Sequence, residues 1–263
     1  MTALAYTITD SRTMLRRNLR RLLRYPSMTL LLVGMPIVFL LLFVYVFGGQ
    51  LGHGLGGGRS GRAGYLNYVT PGILLMTVAA AVQGTAIVVA MDMTNGIVDR
   101  FRTMAIARAS VLAGHVLAAL IQTVVSIVIV LLVAVALGFR PTADPLRWLG
   151  ALGVLTLFAF ALIWLATALG LAAKSVETAS NTPMFLTLLP FLGSAFVPAS
   201  SMPVVLRQFA TYQPFTPVTE TVRGLLTGTA IGSNAIGAVA WSAGIALASY
   251  LWAVHLYTHR RPR

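Results

Sequence analysis

Six long apolar runs divide this chain, at roughly 28–48, 70–93, 114–138, 149–172, 183–199 and 235–257. A helix needs about 20 mostly apolar residues to cross the hydrocarbon core of a bilayer, and these runs meet that length or come close to it. The fifth is the shortest, and Pro183, Pro190 and Pro198 interrupt it. Proline is tolerated inside a span where neighbouring groups satisfy the carbonyls it frees. Residues 200–232 are too long and too apolar for a plain loop. They hold Phe209, Tyr212, Phe215, Val218, Leu225 and Leu226, broken by Pro203, Pro214 and Pro217, which fits short re-entrant or interfacial helices. The pattern predicts an all-α membrane protein with six transmembrane helices.

Two polar stretches carry a pattern of their own. Near the start, Leu15, Leu19, Leu22 and Leu23 fall on one helical face, with Arg16, Arg17, Arg20, Arg21 and Arg24 around the other. That spacing predicts an amphipathic interfacial helix within 1–27, lying on anionic headgroups and ending at Pro26. A disordered basic tail is the competing reading. The basic part is too long, and the apolar run after it too extended, for a cleavable signal. Residues 94–110, TNGIVDRFRTMAIARAS, place Ile97, Phe101, Met104 and Ala105 at i, i+4, i+7 and i+8. A short helix over 96–108 follows, with Asp99, Arg100, Arg102 and Thr103 around the rest and Asn95-Gly96 as the turn before it. Such a helix can lie flat on a membrane, or it can seat Ile97 and Phe101 in a groove of a soluble partner.

Composition supports the membrane reading. The chain has 263 residues, 57% hydrophobic and 10% charged, against about a quarter charged in soluble domains. The net charge of +13 would suit nucleic acid if it were clustered, but the basic residues sit at the ends of apolar runs, where topology needs them. With an even number of crossings both termini share a side. That side collects Arg12, Arg16, Arg17, Arg20, Arg21, Arg24, Arg100, Arg102, Arg108, Lys174, Arg260, Arg261 and Arg263. Arg59, Arg62, Arg140, Arg147, Arg207 and Arg223 fall on the other. The majority side is expected to be cytoplasmic, giving a multi-pass plasma-membrane protein with both termini inside. The Gly-rich stretch 48–64 is then a flexible outer loop. Cysteine is absent, which removes disulfides, thiolate metal sites and Cys nucleophiles together.

Several motifs fail on context. GHGLGG at 52–57 follows a membrane span instead of a strand, so the dinucleotide reading lacks its setting. The only lysine lies in GLAAKS, where Ala173 stands at the glycine position of a phosphate loop. No histidine has a second ligand at metal spacing. Ser194, Ser200 and Ser201 lack a nucleophile-elbow setting, although a membrane-embedded hydrolase using Ser194 or His115 stays open. The spans hold almost no charge; Asp92 lies at the inner end of the second. A proton- or sodium-coupled carrier normally needs a buried carboxylate to load and unload. Gln83 and Gln122 are the notable polar residues within spans, readable as interhelical hydrogen bonds or as substrate contacts. With no ATP site and no ion-coupling site, a partner that supplies energy through the 96–108 helix is the economical reading.

GIVDRFRTMAIARASVLAG (96–114) resembles the cytoplasmic loop of type-2 ATP-binding-cassette exporter permeases, in particular the daunorubicin-resistance permease subfamily of actinobacteria. LPFLGSAFVPASSMPVVLRQFATYQPFTPVTETVRGLLTG (189–228) is similar to that family's fifth span and extracellular helical hairpin. Ala105 departs from the pattern, standing where relatives often have Pro, so the coupling helix can run on toward Arg108.

The resemblance implies an interfacial helix over 1–27 and a six-span permease domain over 28–263, with a cytoplasmic coupling helix at 96–108 and an extracellular re-entrant helical hairpin at 200–232. It implies that Ile97, Asp99, Arg100, Phe101, Arg102 and Met104 meet a separate ATPase subunit, present in two copies and holding ATP and Mg; this chain binds no cofactor itself. It implies a second permease subunit, expected to be an identical copy with a heterodimer as the alternative, the first and fifth spans pairing across the dimer. The second and fifth spans line the path, with Gln83 and Thr187 as candidate contacts. Pro203, Pro214, Glu220 and Arg223 belong to the outer hairpin, where Glu220 and Arg223, at i, i+3, form either a structural ion pair or a substrate gate. The expected activity is export of hydrophobic or amphipathic compounds, drug-like natural products or lipids. An ion-coupled secondary carrier and an exporter of lipid-linked glycan are the alternatives.

Overall fold

Helix α3, Arg62–Thr94, is the axis on which the other elements pack. Its 33 residues span about 50 Å at 1.5 Å per residue, well beyond a hydrocarbon core of about 30 Å. The computed structural model describes residues 26–53, 61–94 and 108–259, together with Arg16, Arg20 and Arg24. Before α3 come α1 (Pro26–Leu41), a π-helical segment (Leu42–Phe47) and α2 (Gly48–His53). After it come α4 (Arg108–Ala136), α5 (Pro145–Ala172), α6 (Val176–Asn181), α7 (Met184–Leu188), a 3-10 turn (Ala199–Ser201), α8 (Val204–Tyr212), α9 (Phe215–Thr227) and α10 (Asn234–His259). Among the described residues the structure is helical with no strand.

Five helices are long and apolar enough to cross a membrane: Thr29–Gly52, Arg62–Thr94, Leu112–Ala136, Pro145–Ala172 and Asn234–Thr258. They coincide with five of the six apolar runs. The run at 183–199 differs from a continuous span. It is helical only over Met184–Leu188 and then proceeds through turns to the 3-10 segment. Proline supplies no N–H and clashes with the preceding turn, so Pro190 and Pro198 end what hydropathy alone reads as one helix.

The helices form a bundle around α3, which packs on α1, α4, α5, α6 and α9, while α10 covers α5 and α9. Close approach between α3 and α5 needs Gly170: a Cβ there would sit 2.7 Å from Ala86 O and 2.9 Å from Val89 Cβ. Leu30, Leu31, Val46, Leu132, Ile236 and Leu247 are exposed on α1, the π segment, α4 and α10, as expected of surfaces that meet lipid tails. Within the bundle, buried hydroxyls turn back on their own helices: Thr70, Thr77, Thr85, Thr167 and Thr219 each donate to the carbonyl four residues earlier. These groups are satisfied locally and call for no ligand.

The proline breaks expected in 200–232 are present. Pro203 stands directly before α8 and Pro214 directly before α9, and Gly228, at φ 76°, closes α9 in the left-handed region. α5 opens on a capped start, Asp144 Oδ1 accepting from Arg147 N at 2.8 Å with Pro145 at the first turn. At the other extremity, Arg16, Arg20 and Arg24 are helical and exposed at i, i+4 and i+8, the line of basic side chains expected of the interfacial helix. Arg17 and Arg21 lie outside the described residues.

Candidate functional site

Two polar clusters sit at opposite ends of α3. Tyr65 and Tyr68 mark one and Asp92 the other; the 24-position separation of Tyr68 and Asp92 corresponds to about 36 Å of helix.

At the Asp92 end, α3 stops at Thr94 and α4 starts at Arg108. The two run antiparallel, since Arg140 N, just beyond the far end of α4, donates to Asn67 Oδ1 near the start of α3 at 3.2 Å. The connecting segment therefore bridges neighbouring helix ends. The expected coupling residues Ile97, Asp99, Arg100, Phe101, Arg102 and Met104 all lie in it, outside the described residues. His115 Nε2, seven residues into α4, lies 3.4 Å from Asp92 Oδ2, two residues before the end of α3, with side-chain exposures of 9% and 2%. Sequence spacing did not reveal this pair, because the partners come from different helices. Their distances from the connection are unequal, Asp92 lying two residues before the end of α3 and His115 seven residues into α4, so no spacing rule pairs them.

Midway along α3, Gln83 Nε2 donates to Ser180 O and lies within hydrogen-bond reach of Ser180 Oγ, both at 3.2 Å, and Gln122 Nε2 donates to Thr29 Oγ1 at 3.1 Å. Both amides thus join helices. Thr187, half-buried on α7, donates to Met184 O at 2.6 Å within its own turn. Gln83 and Thr187 are not joined by any hydrogen bond among the described residues.

The Tyr65–Tyr68 end of α3 holds the denser cluster. After Leu188 the backbone leaves the helix, and its carbonyls are met by side chains from elsewhere. Gln213 Nε2 donates to Leu189 O at 3.3 Å, Tyr65 OH to Phe196 O at 3.2 Å and Tyr68 OH to Ser194 O at 3.0 Å. Arg223 is only 5% exposed. Its Nη2 donates to Ser194 O at 2.8 Å, its Nε and Nη2 to Tyr68 O at 3.2 Å, and its Nη1 pairs with Glu220. Its Cζ lies 3.8 Å from the centroid of the Tyr68 ring, within cation–π range. The i, i+3 ion pair was legible in the sequence; the carbonyl acceptors and the two tyrosines were not. Buried backbone carbonyls need hydrogen-bond donors, and this cluster supplies them to the non-helical stretch.

The cluster also bears on hydrolase chemistry. Ser194 Oγ is buried without a hydrogen-bond partner, and His115 is at the far end of α3 with Asp92. No shared catalytic site can contain both. Among the described residues no group of three or more His, Cys, Asp or Glu side chains could hold a metal ion.

Comparison with known proteins places these features in a family. A model of the ABC-2 type transporter family matches residues 9–227. The chain is 30% identical over 229 residues to the daunorubicin resistance ABC transporter permease protein DrrB1 of Streptomyces coeruleorubidus, covering 87% of this chain and 78% of that one. It is 27% identical over 175 residues to the probable doxorubicin resistance ABC transporter permease protein DrrC of Mycobacterium tuberculosis, covering 65% of this chain and 63% of that relative. A match to the doxorubicin resistance ABC transporter permease protein DrrB of the same organism is 30% identical over 152 residues and spans half of that relative's length. A bundle of long apolar helices around one buried axis, matched by the family model over most of its length, identifies the chain as a member of the ABC-2 type transporter family.

Proposed function

We propose that this chain is the membrane permease subunit of an ATP-driven exporter of hydrophobic or amphipathic compounds, with ATP and Mg held by a separate cytoplasmic ATPase subunit in two copies. The observation that carries the reading is the alignment, over 87% of the chain, with a relative named as a daunorubicin resistance permease. The other relatives reported are named for doxorubicin resistance, which favours drug-like natural products as cargo.

The geometry fits such a role. In this reading both termini and residues 95–107 face the cytoplasm, the interfacial helix in 1–27 lies on the inner surface, and the permease body covers 28–263. Ile97, Asp99, Arg100, Phe101, Arg102 and Met104 contact the ATPase subunit. Movement delivered there reaches the hairpin end along α3, whose ends carry the two polar clusters. Turning a mostly closed state into a mostly open one takes about 5.5 kcal/mol of differential binding, which nucleotide-driven closure of two ATPases can supply. The run 183–199 makes the remaining crossing in broken form, and α8 and α9 form the re-entrant hairpin on the outer side. A second copy of the chain completes the path, along which Gln83 and Thr187 are the candidate polar contacts. The exposed apolar side chains of α1 and α7, among them Met35, Val38, Phe185 and Leu188, supply the dimer face.

Replacing Phe101 by Asp tests the coupling contact. The expected result is loss of co-purification with the cognate ATPase; an intact, fully active complex would sink the docking reading. A second reading draws on Asp92. A buried carboxylate beside a histidine is the kind of group an ion-coupled carrier uses. Transport in vesicles that requires a proton gradient and no ATP would select it instead.

A further inference from the structure

Arg223 stands at a junction between two groups of elements. On one side are α3 and α9, which pack together and carry Tyr65, Tyr68, Glu220 and Arg223. On the other is the non-helical stretch 189–197, tied to α1 and the π segment by a run of rings. Phe43 stacks on Phe196 at 4.5 Å, Phe196 on Phe191 at 4.7 Å, and Phe191 meets Phe39 edge-on at 5.6 Å. The two groups meet along a seam. A Cβ on Gly72 would lie 2.6 Å from Ala195 O, and the bonds from Tyr65, Tyr68 and Arg223 to Phe196 O and Ser194 O cross it.

A cation is an expensive way to fasten such a seam if fastening is all that is needed. Well-packed apolar residues of similar volume often hold two surfaces as well as a buried ion pair does, or better. A guanidinium adds direction: its planar fork donates to several acceptors at once in one geometry and to none when that geometry is lost. Here one guanidinium addresses a carboxylate, two backbone carbonyls and a ring. The Glu220 side chain keeps 30% exposure, so one side of the fastening lies at the surface of the chain.

We infer that Arg223 is a positioning residue for transport: it closes the seam between α3–α9 and the 189–197 stretch in the resting state, and its release lets that stretch move with α1. The inference rests on the exporter reading, in which this end of the bundle faces outward. Ser194 is the residue most affected. It is 2% exposed, and in a chain without cysteine a Ser194→Cys substitution gives a single thiol whose accessibility reports the seam.

The experiment is maleimide labelling of Ser194→Cys in the complex with its ATPase, reconstituted in proteoliposomes, alone and combined with Arg223→Lys or Tyr68→Phe. Doxorubicin uptake and ATP hydrolysis are followed in the same vesicles with Ser194 intact. Arg223→Lys keeps the charge and loses the fork, so labelling should accelerate about tenfold and doxorubicin moved per ATP should fall about tenfold. ATP hydrolysis itself should stay within about twofold. Tyr68→Phe, which removes one bond to Ser194 O and keeps the ring, should shift both readouts the same way by less. A merely structural role would lower assembly, hydrolysis and transport together and leave transport per ATP unchanged; that outcome, or unchanged labelling in both variants, overturns the inference. If Arg223→Lys does not assemble, Tyr68→Phe decides by the same two readouts. If the unmodified complex moves no doxorubicin with ATP, the exporter reading fails for that cargo, and the labelling rates alone judge the seam.

Discussion

His115 on α4 and Asp92 on α3 form a buried contact of 3.4 Å at the helix ends that flank residues 95–107. The contact joins the two helices two residues before the end of α3 and seven residues into α4. Removing one member takes a partner from the other in a buried setting, which costs about 1–3 kcal/mol. Asp92→Asn and His115→Gln should each destabilise the purified protein by that order. A double-mutant cycle on thermal unfolding should give a coupling of about 0.5–3 kcal/mol. Strict additivity would mean the two side chains do not interact.

Helix contact between α3 and α5 depends on a missing side chain. Gly170→Val should destabilise by about 1–3 kcal/mol, since overpacking forces backbone or rotamer shifts where a Cβ already falls 2.7 Å from Ala86 O. Gly153 on the same helix has nothing within 4 Å of its Cβ position, so Gly153→Ala should be neutral or slightly stabilising. Unfolding midpoints of the two variants in one detergent check the contrast; equal shifts would refute it.

Aromatic packing fastens the broken run to the first span. Phe196, 4% exposed, contacts both Phe43 and Phe191. Phe196→Ala should cost about 3–5 kcal/mol, the usual figure for a large ring removed from a packed site. Phe196→Leu should recover much of that loss. A cycle pairing Phe43→Leu with Phe196→Leu should show about 0.5–1.5 kcal/mol of ring–ring coupling.

The exposed line of Arg16, Arg20 and Arg24 should act through surface charge. Reversing all three to Glu should weaken association of this end with anionic membrane by about 1 kcal/mol per arginine removed. Proteolytic accessibility of the N-terminal segment in vesicles with and without phosphatidylserine is a direct measure. Protection that is the same in both vesicle types would count against the interfacial role.

Five of the crossing helices were legible because length and hydropathy are local properties of a run. The fifth run has the hydropathy of a span, but a hydropathy average does not register that Pro190 and Pro198 supply no N–H. Its course was set by Gln213, Tyr65, Tyr68 and Arg223, residues of other elements that satisfy the freed carbonyls. For the same reason the i, i+3 pair of Glu220 and Arg223 was foreseeable, whereas the contact of Arg223 with Tyr68, 155 positions away, was not. Asp92 was visible as a charge near a helix end, and His115 as an isolated histidine. Only antiparallel packing of α3 on α4 brings them together.

The π-helical segment Leu42–Phe47 acts as a phase shifter within the first span. Each residue of an α-helix advances the side-chain direction by about 100°, and a π turn absorbs an extra residue without lengthening the ladder by a full step. Deleting Tyr45 would return this stretch to ordinary winding and leave both flanks on their present faces, with Val33 and Leu40 still buried and Leu30 and Leu31 still outward. Deleting a residue from the regular winding of α1 would instead turn the part before it by about 100°. The π turn therefore lets the first span hold one more residue than its packing requires.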